Sequence, residues 1–550
     1  MTDTTASTGP GSTPDDGRDT DDGRDTADVL VIGAGAAGAA VVWSLARRGL
    51  DVVCLEQGDW VPQDQIPKNH ADWEVRGRHY WNPSPGKRRG PADYPVTNLG
   101  ENPVDVYMYS AVGGSAIGYG AHFWRFEPSD FKARTLDGFG VDWPIDYEDL
   151  VPYYELNEKM MGMSGSGGDP VQPGRPEVPL PPIPIGRQGE RWIDGFDKLG
   201  WYWWTQSQAL LSEDYKGRPA CVNRGFCAFG CPSGALALPS NTYWPEALEA
   251  GARLRTNARV REVTVDDDGN ATGAIYYDAD GRLREVRATT VVISGNGVGT
   301  PRLLLMSKSA RFPNGLANSS GQVGRNFMPH VQTMVIGHFL EPTDADHGAW
   351  GGTVSSRHFY ETDPENDYVR GFTMVAMRGY SPLNTALATA PWGDGHHEAL
   401  EHHVNHEATI WVCGDDEPEE HNRVELDEVN LDDFGLPGVT TYYTLSENSK
   451  RLGEDGVRKA TELARAAGAD SVRTTGFDSI LGWHLLGTAR MGDDPTNSVV
   501  DANNRAHDVP NLYIVDGSSF STGGAVNPTH TIQALALRAA DKIWEAFDAR

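Results

Sequence analysis

Apolar positions along this chain follow two rhythms. Near the N-terminus, residues 28–32 (DVLVI) form a short apolar run bounded by glycine, which predicts a buried strand. Residues 33–38 (GAGAAG) follow, then a small-residue stretch of helical character to Arg48, a stop at Gly49, and a second apolar run at 51–55 ending on Glu56. Strand, glycine turn, helix and strand in this order predict a β–α–β unit. Residues 253–294 alternate instead: RLRTNARVREVTV, TGAIYYDA and LREVRATTVVIS, with turns between, predict a strand meander returning to a parallel strand. That strand runs into SGNGVGTPRLLLMS at 294–307, a second glycine turn entering a helix.

From 332 to about 479 strand-like runs dominate (QTMVIGHF, YVRGFTMVAM, EATIWVC, RVELD, GVTTYYTL), interrupted by one helix at about 447–467. An antiparallel sheet forming a second domain is the economical reading. The chain then returns through NLYIVDG, a strand, to a last helix from about Pro528, where Ile532, Leu535, Ala539, Ile543 and Trp544 recur at helical spacing. Asn527 is expected at its N-cap and Pro528 at its first position. Residues 57–104 show no period and read as loop or lid, 142–162 as helical after Pro152, and 164–187 as a Gly- and Pro-rich linker. The polar start, 1–27, repeats DDGRDT and predicts a disordered tail. The expected architecture is a mixed α/β fold. A Rossmann-like nucleotide-binding domain is assembled from 28–150, 245–331 and 481–550, and a sheet-rich substrate domain from 151–244 and 332–480.

Composition adds limits. A chain of 550 residues exceeds one compact core, in keeping with two domains. The 47 basic and 77 acidic residues give a formal charge of −30, which argues against nucleic acid or anionic lipid as partner. No run is apolar enough to span a bilayer, and the start lacks a basic, apolar signal segment, so a cytoplasmic location is expected. The five cysteines, odd and sparse, do not form a disulfide framework.

The chemistry begins at the first turn. Gly33, Gly35 and Gly38 make GxGxxG in register between strand and helix. Gly33 permits the turn, Gly35 lets backbone approach a pyrophosphate, and Gly38 lets helix pack on strand. Ala36 and Ala37 open the helix, whose free N–H groups suit a phosphate. Glu56 stands where an acid accepts hydrogen bonds from the two hydroxyls of an adenosine ribose. Gly113, Gly114 and Ser115 again invite close backbone approach to a ligand. Pro528 and Thr529 open a last helix whose N-terminus is free to face negative charge.

These motifs, with AVGGSAIGYG, NARVREV, SGNGVGTPRLLL, HLLGTARMG, NLYIVDGS and VNPTHTIQALALR in order, resemble the glucose–methanol–choline (GMC) oxidoreductase family of FAD enzymes. WRFEPSDF and DWPIDYEDLVPYY are nearest the gluconate and fructose dehydrogenase flavoproteins and related sugar or alcohol dehydrogenases. The resemblance implies a hydride transfer from a CH–OH group of a sugar, polyol or other alcohol to FAD. It implies His484 as general base and Asn527 as donor to the substrate oxygen. It places Gly113, Gly114 and Ser115 at the ring and pyrophosphate, Val260 at the adenine, and Asp516 and Gly517 at the ribityl and pyrophosphate. Relatives that bind FAD covalently do so through a histidine just after the double glycine. Here Ile117 and Gly118 stand there, so non-covalent FAD is expected, His122 being the other candidate. The implied activity is a dehydrogenase with an unspecified electron acceptor. An oxidase returning electrons to dioxygen, and a lyase with structural FAD, are the alternatives. Cys221, Cys227 and Cys231 resemble the cysteine run that holds a three-iron, four-sulfur cluster in those relatives, although Ala220 stands where they have another cysteine. Buried free thiols are the other reading. His402 and His406 share a helical spacing that could face a metal, with a solvated loop as alternative. Trp201, Tyr202, Trp203 and Trp204 read as core packing or, second, as a sugar platform.

Overall fold

The computed structural model describes residues 25–549, except 70–72, 77–81, 89–93, 173–176, 226, 229, 345–346, 380, 390–391 and 478–479. The expected tail lies outside the described residues up to residue 24, and the chain is already a strand from Thr26.

Strand Thr26–Ile32 lies inside a seven-stranded sheet. It pairs in parallel with Val52–Leu55 on one side and Leu283–Ile293 on the other. Arg253–Arg255 extends the sheet beyond Val52–Leu55. Leu283–Ile293 is long enough for two tasks. Its first half pairs antiparallel with Ala271–Tyr277, closing the expected meander, and its last residues pair in parallel with Leu512–Ile514. The helix Ala36–Ala46 is buried at every residue from Ala37 to Ala46, between sheet and last helix, Thr529–Asp548. A helix covered on all sides has no polar face, which is why its sequence is uniformly small and apolar.

A second, six-stranded sheet runs in the order Ser471–Thr474, Val331–His338, Glu407–Gly414, Phe372–Arg378, Val354–Phe359, Trp204–Thr205, all antiparallel. Helices Glu447–Ala466 and Gly186–Leu199 cover one face through Leu452, Leu463, Trp192 and Phe196. Two expected strands do not join it. Arg423–Leu431 and Pro437–Tyr442 pair with each other and with Val96–Leu99, inside a segment expected to be loop. They pack on helix Asn296–Met306. The reason is electrostatic: Asp432, wholly buried, accepts from Arg302 Nη2 at 2.8 Å and Arg259 Nη1 at 2.9 Å. A further departure is the helix Tyr147–Met161, which starts before Pro152 rather than after it. Asp149 Oδ2 accepts from the Asp146 N–H at 2.9 Å and closes the first turn, so proline falls inside a helix already begun.

The two sheets are tied together beside the site. Arg370, 1 % exposed, donates to Asp130 and, at 3.0 Å, to Asp415. Asp130 also accepts from the Tyr360 hydroxyl at 2.7 Å, and that hydroxyl accepts from the Ala525 N–H at 3.2 Å. Thr522 Oγ1 donates to the Asp130 carbonyl at 3.0 Å. A buried charge network thus fixes the loop that leads to Asn527.

Candidate active site

A cavity of about 450 Å³ is lined by Gly35, Glu56 and Val260 and also by His484 and Asn527. Its nucleotide half is a cradle only glycine allows. Gly33 has φ +103°, and a Cβ there would lie 2.3 Å from the Ser294 carbonyl oxygen. A Cβ on Gly38 would lie 1.9 Å from the Gly33 oxygen, and the Gly38 N–H donates to Ser294 Oγ at 2.9 Å. Gly114, with φ +59°, approaches so closely that its Cβ would be 2.8 Å from the Gly35 Cα. The cap residue of helix Ala36–Ala46 is Gly35, which has no side chain to accept, and Ala36 and Ala37 line the cavity, so their N–H groups are left for a ligand while Ser294 Oγ holds that of Gly38. The Glu56 carboxylate accepts from the Ala34 N–H at 2.9 Å and the Gly58 N–H at 2.8 Å. Burial pushes it up to about 7 despite these bonds and the nearby Arg259. Uncapped donors, a glycine floor and an acid at the strand end fit the dinucleotide FAD.

Most expected cofactor residues do line the cavity: Ser115, Val260, Asp516, Gly517, Pro528 and Thr529 among them. Gly38 and Gly113 act from behind. Gly113, at φ +96°, gives its N–H to the Ala34 carbonyl at 2.9 Å, as Trp244 Nε1 does at 3.1 Å, so both hold the first turn. Asp516 accepts from Thr300 Oγ1 at 2.6 Å and the Ser518 N–H at 2.8 Å, and burial raises its carboxyl above the usual range.

At the other end, His484 and Asn527 come together from opposite chain segments, Nε2 and Nδ2 being 3.0 Å apart. Asn527 does not cap the last helix. That helix starts at Thr529 with Pro528 as its cap residue, and the Asn527 amide turns to the imidazole instead. Asn527 Oδ1 is buried with no protein partner. His484 is 5 % exposed, and burial, reinforced by His330 and His122, holds its pKa well below that of a free imidazole. It is therefore neutral, with one ring nitrogen unprotonated. Trp411 lies 6.1 Å from the His484 ring, and the cavity lining also includes Tyr107, Trp350, Met377 and Trp483 together with the polar Gln332, His122 and Asn384.

Other expectations resolve plainly. His530 stacks on Phe123 at 4.1 Å and Nε2 donates to the Tyr154 carbonyl at 3.2 Å, inside the core. His122 lines the cavity with Nδ1 2.7 Å from Gln206 Nε2, and burial lowers its pKa to about 3. Trp201 packs edge-on to Phe359 at 4.8 Å and Trp203 joins the same cluster at the sheet's helical side, and none of Trp201, Tyr202, Trp203 and Trp204 lines the cavity. His402, His403 and His406 gather around His338, whose Nδ1 meets Asp470 at 2.7 Å and Nε2 the His402 carbonyl at 2.9 Å. His406 Nδ1 donates to the Phe339 carbonyl at 2.9 Å, and among the described residues His402 and His406 do not belong to a cluster of three metal-ligating side chains.

Cys221, Cys227 and Cys231 share an apolar cluster with Leu210, Leu211 and Leu236, and none lines the cavity. Cys221 Sγ accepts from the Asn223 N–H at 3.3 Å, and Cys231 Sγ lies 3.2 Å from Ser233 Oγ. Burial, then the neighbouring Cys231 and Cys221, push the Cys227 thiol up to about 12. Among the described residues, the set of His, Cys, Asp and Glu ligand atoms lying within 4.8 Å of one another is His330, Cys413 and His484. The three-cysteine loop is therefore not a preformed tetrahedral site for one metal ion.

His330 was not legible in the sequence. It precedes strand Val331–His338, far from the recognised motifs, yet its Nδ1 lies 2.8 Å from His484 Nδ1. Ser294, which supports Gly33 and Gly38, is likewise recognisable only once the strands are paired.

The sequence patterns described as GMC oxidoreductase match residues 27–332 and 418–536. A 2-methyl-1,2-propanediol dehydrogenase of Mycolicibacterium austroafricanum is 41 % identical over 94 % of this chain and 95 % of its own length. The fructose dehydrogenase large subunit of Gluconobacter japonicus is 31 % identical over 94 % of this chain and 97 % of its own. Among solved structures, a pyridoxine 4-oxidase of Mesorbium loti superimposes with a TM-score of 0.63 at 17 % identity, covering 94 % of this chain and 99 % of that one. No helix among the described residues is long and apolar enough to cross a membrane.

Proposed function

The chain belongs to the GMC oxidoreductase family, an FAD-binding enzyme family, and from that premise we propose a dehydrogenase that oxidises the CH–OH group of an alcohol. One observation carries the reading: His484 and Asn527, 3.0 Å apart, line the same cavity as the dinucleotide cradle. FAD, bound there, supplies the hydride acceptor. Gly33, Gly35 and Gly114 give it room, the uncapped helix N-terminus offers donors for its phosphates, and Glu56 accepts from its ribose. Ile117 and Gly118 provide no attachment atom, which supports FAD held without a covalent link, His122 on the cavity wall being the alternative attachment.

The substrate hydroxyl enters between the pair. Asn527 Nδ2 donates to its oxygen and His484 Nε2 accepts its proton. Loss of that proton raises electron density at carbon and lets the hydride leave. The substrate class is read from the relatives, a diol dehydrogenase at 41 % identity and a fructose dehydrogenase at 31 %, and the higher identity favours a small diol over a sugar. The dehydrogenase relatives also favour an acceptor other than dioxygen. The division into an FAD-binding domain and a sheet-rich substrate domain is part of this proposal; the two large sheets support it, while Arg423–Leu431 and Pro437–Tyr442 go with the FAD-binding side, paired to Val96–Leu99. A three-iron, four-sulfur cluster on Cys221, Cys227 and Cys231 joins the reading only if iron and acid-labile sulfide copurify anaerobically with the protein.

The test is turnover of aliphatic diols, polyols and sugars with an artificial electron acceptor, against air alone. Diol oxidation that depends on the acceptor supports the proposal. Peroxide formed as fast in air makes it an oxidase, and no turnover of any alcohol defeats it.

A further inference from the structure

His330 is wholly buried, has a left-handed backbone (φ +66°), and uses both ring nitrogens. Nε2 lies 2.6 Å from the Gly524 carbonyl oxygen and 3.1 Å from that of Gly523. Carbonyl oxygens only accept, so Nε2 carries a hydrogen. Nδ1 lies 2.8 Å from His484 Nδ1, and a contact that short holds one hydrogen between the two nitrogens. Both rings are neutral: burial lowers the pKa of each, and Asp415 opposes this at His330 without overcoming it. A neutral His330 with its hydrogen on Nε2 has a bare Nδ1. The hydrogen between the rings therefore belongs to His484 Nδ1, and His484 Nε2 carries no hydrogen, its lone pair turned to the Asn527 amide. The Asn527 amide N–H group, 3.0 Å from that Nε2, is a donor, as this assignment requires.

We propose that His330 is a positioning residue that fixes the tautomer of His484 through the Nδ1–Nδ1 hydrogen bond, so that a bare Nε2 always meets the substrate hydroxyl. The inference rests on His484 being the base. In the reaction the alcohol O–H bond breaks and its proton goes to His484 Nε2. The C=O double bond forms as the C–H electron pair leaves with hydrogen as a hydride, for which FAD would be the acceptor where bound. His484 is then an imidazolium whose Nδ1–H stays on His330, with the field of Asp415 favouring positive charge on that side. The same histidine anchors the loop carrying the second catalytic residue, because Gly523 and Gly524 precede Asn527 closely in the chain. A Cβ on Gly523 would lie 2.9 Å from His330 Nε2, so the loop is seated against the ring itself. Leucine in this place would fill the space but leave His484 free to carry its hydrogen on either nitrogen.

The test is nitrogen NMR of the FAD-loaded protein labelled with ¹⁵N-histidine, His484 being assigned by difference from His484→Ala. A pyrrole-type Nδ1 and a pyridine-type Nε2 are expected, and the reverse assignment overturns the proposal. His330→Leu should lower kcat by roughly 10²–10⁴-fold with KM little changed and flavin retained. His330→Asn, whose amide oxygen can accept from His484 Nδ1–H, should recover most of the loss. Wild-type kcat in His330→Leu, or His330→Asn no better than His330→Leu, overturns the assignment. If His330→Leu does not fold, the wild-type spectrum and His330→Asn still decide. Full activity in His484→Ala would instead show that the base itself was misassigned, which separates the two failures.

Discussion

Replacing Glu56 with Gln should weaken FAD binding at pH 8 and remove its dependence on pH. In the protein without FAD, burial raises the Glu56 carboxyl to about 7. In an unfolded chain the group is ionised above about 4.5. Between those values the folded state holds a proton that the unfolded state has lost, so the FAD-free protein loses stability as pH rises through this window. Two ribose hydroxyls donating to the carboxylate favour its ionised form, so FAD binding expels the proton. If bound FAD lowers the pKa by two units, affinity rises roughly tenfold between pH 6 and pH 8 and levels off above. Glutamine stands for the protonated acid. It also presents one acceptor oxygen where the carboxylate has two, so the Ala34 or Gly58 N–H loses its partner at a cost of about 1–3 kcal/mol. Fluorescence titration of FAD into FAD-free protein at several pH values measures both effects. A flat profile in the wild type, or an equal slope in Glu56→Gln, would refute the reasoning.

Two more perturbations bear on the scaffold. Gly38→Ala would put a Cβ 1.9 Å from the Gly33 oxygen and force the first helix off its strand; the flavin-to-protein absorbance ratio should fall at least severalfold, and unchanged loading would contradict the cradle. Arg370→Leu would strand Asp130 and Asp415 without their buried partner, costing about 3–5 kcal/mol in chemical denaturation. Because the same network seats the loop before Asn527, kcat should fall as well, and an unmoved midpoint would count against it.

Much of this was legible because it is local. DVLVIGAGAAG encodes strand, turn and helix within one stretch, and each glycine answers to a contact the structure displays. His484 and Asn527 were reached through motifs that carry their own surroundings. The parts that were not legible depend on distant partners. Val96–Leu99 is a strand only because Pro437–Tyr442 lies beside it, and Pro437–Tyr442 stays there because Arg302 and Arg259 share Asp432. Helix Gly186–Leu199, rich in glycine, is stabilised by Trp192 and Phe196 packing into the second sheet rather than by its own propensity. His330 acts through an imidazole 154 positions away, and no spacing rule connects the two.

The most direct measurement is the loss of yellow flavin colour when an alcohol is mixed anaerobically with the loaded enzyme, followed in wild type and His484→Ala. The account predicts rapid bleaching by a small aliphatic diol in the wild type, slowed roughly 10²–10⁴-fold in a variant that keeps its flavin. Bleaching at the wild-type rate without the imidazole, or a wild-type flavin that no alcohol reduces, would contradict it.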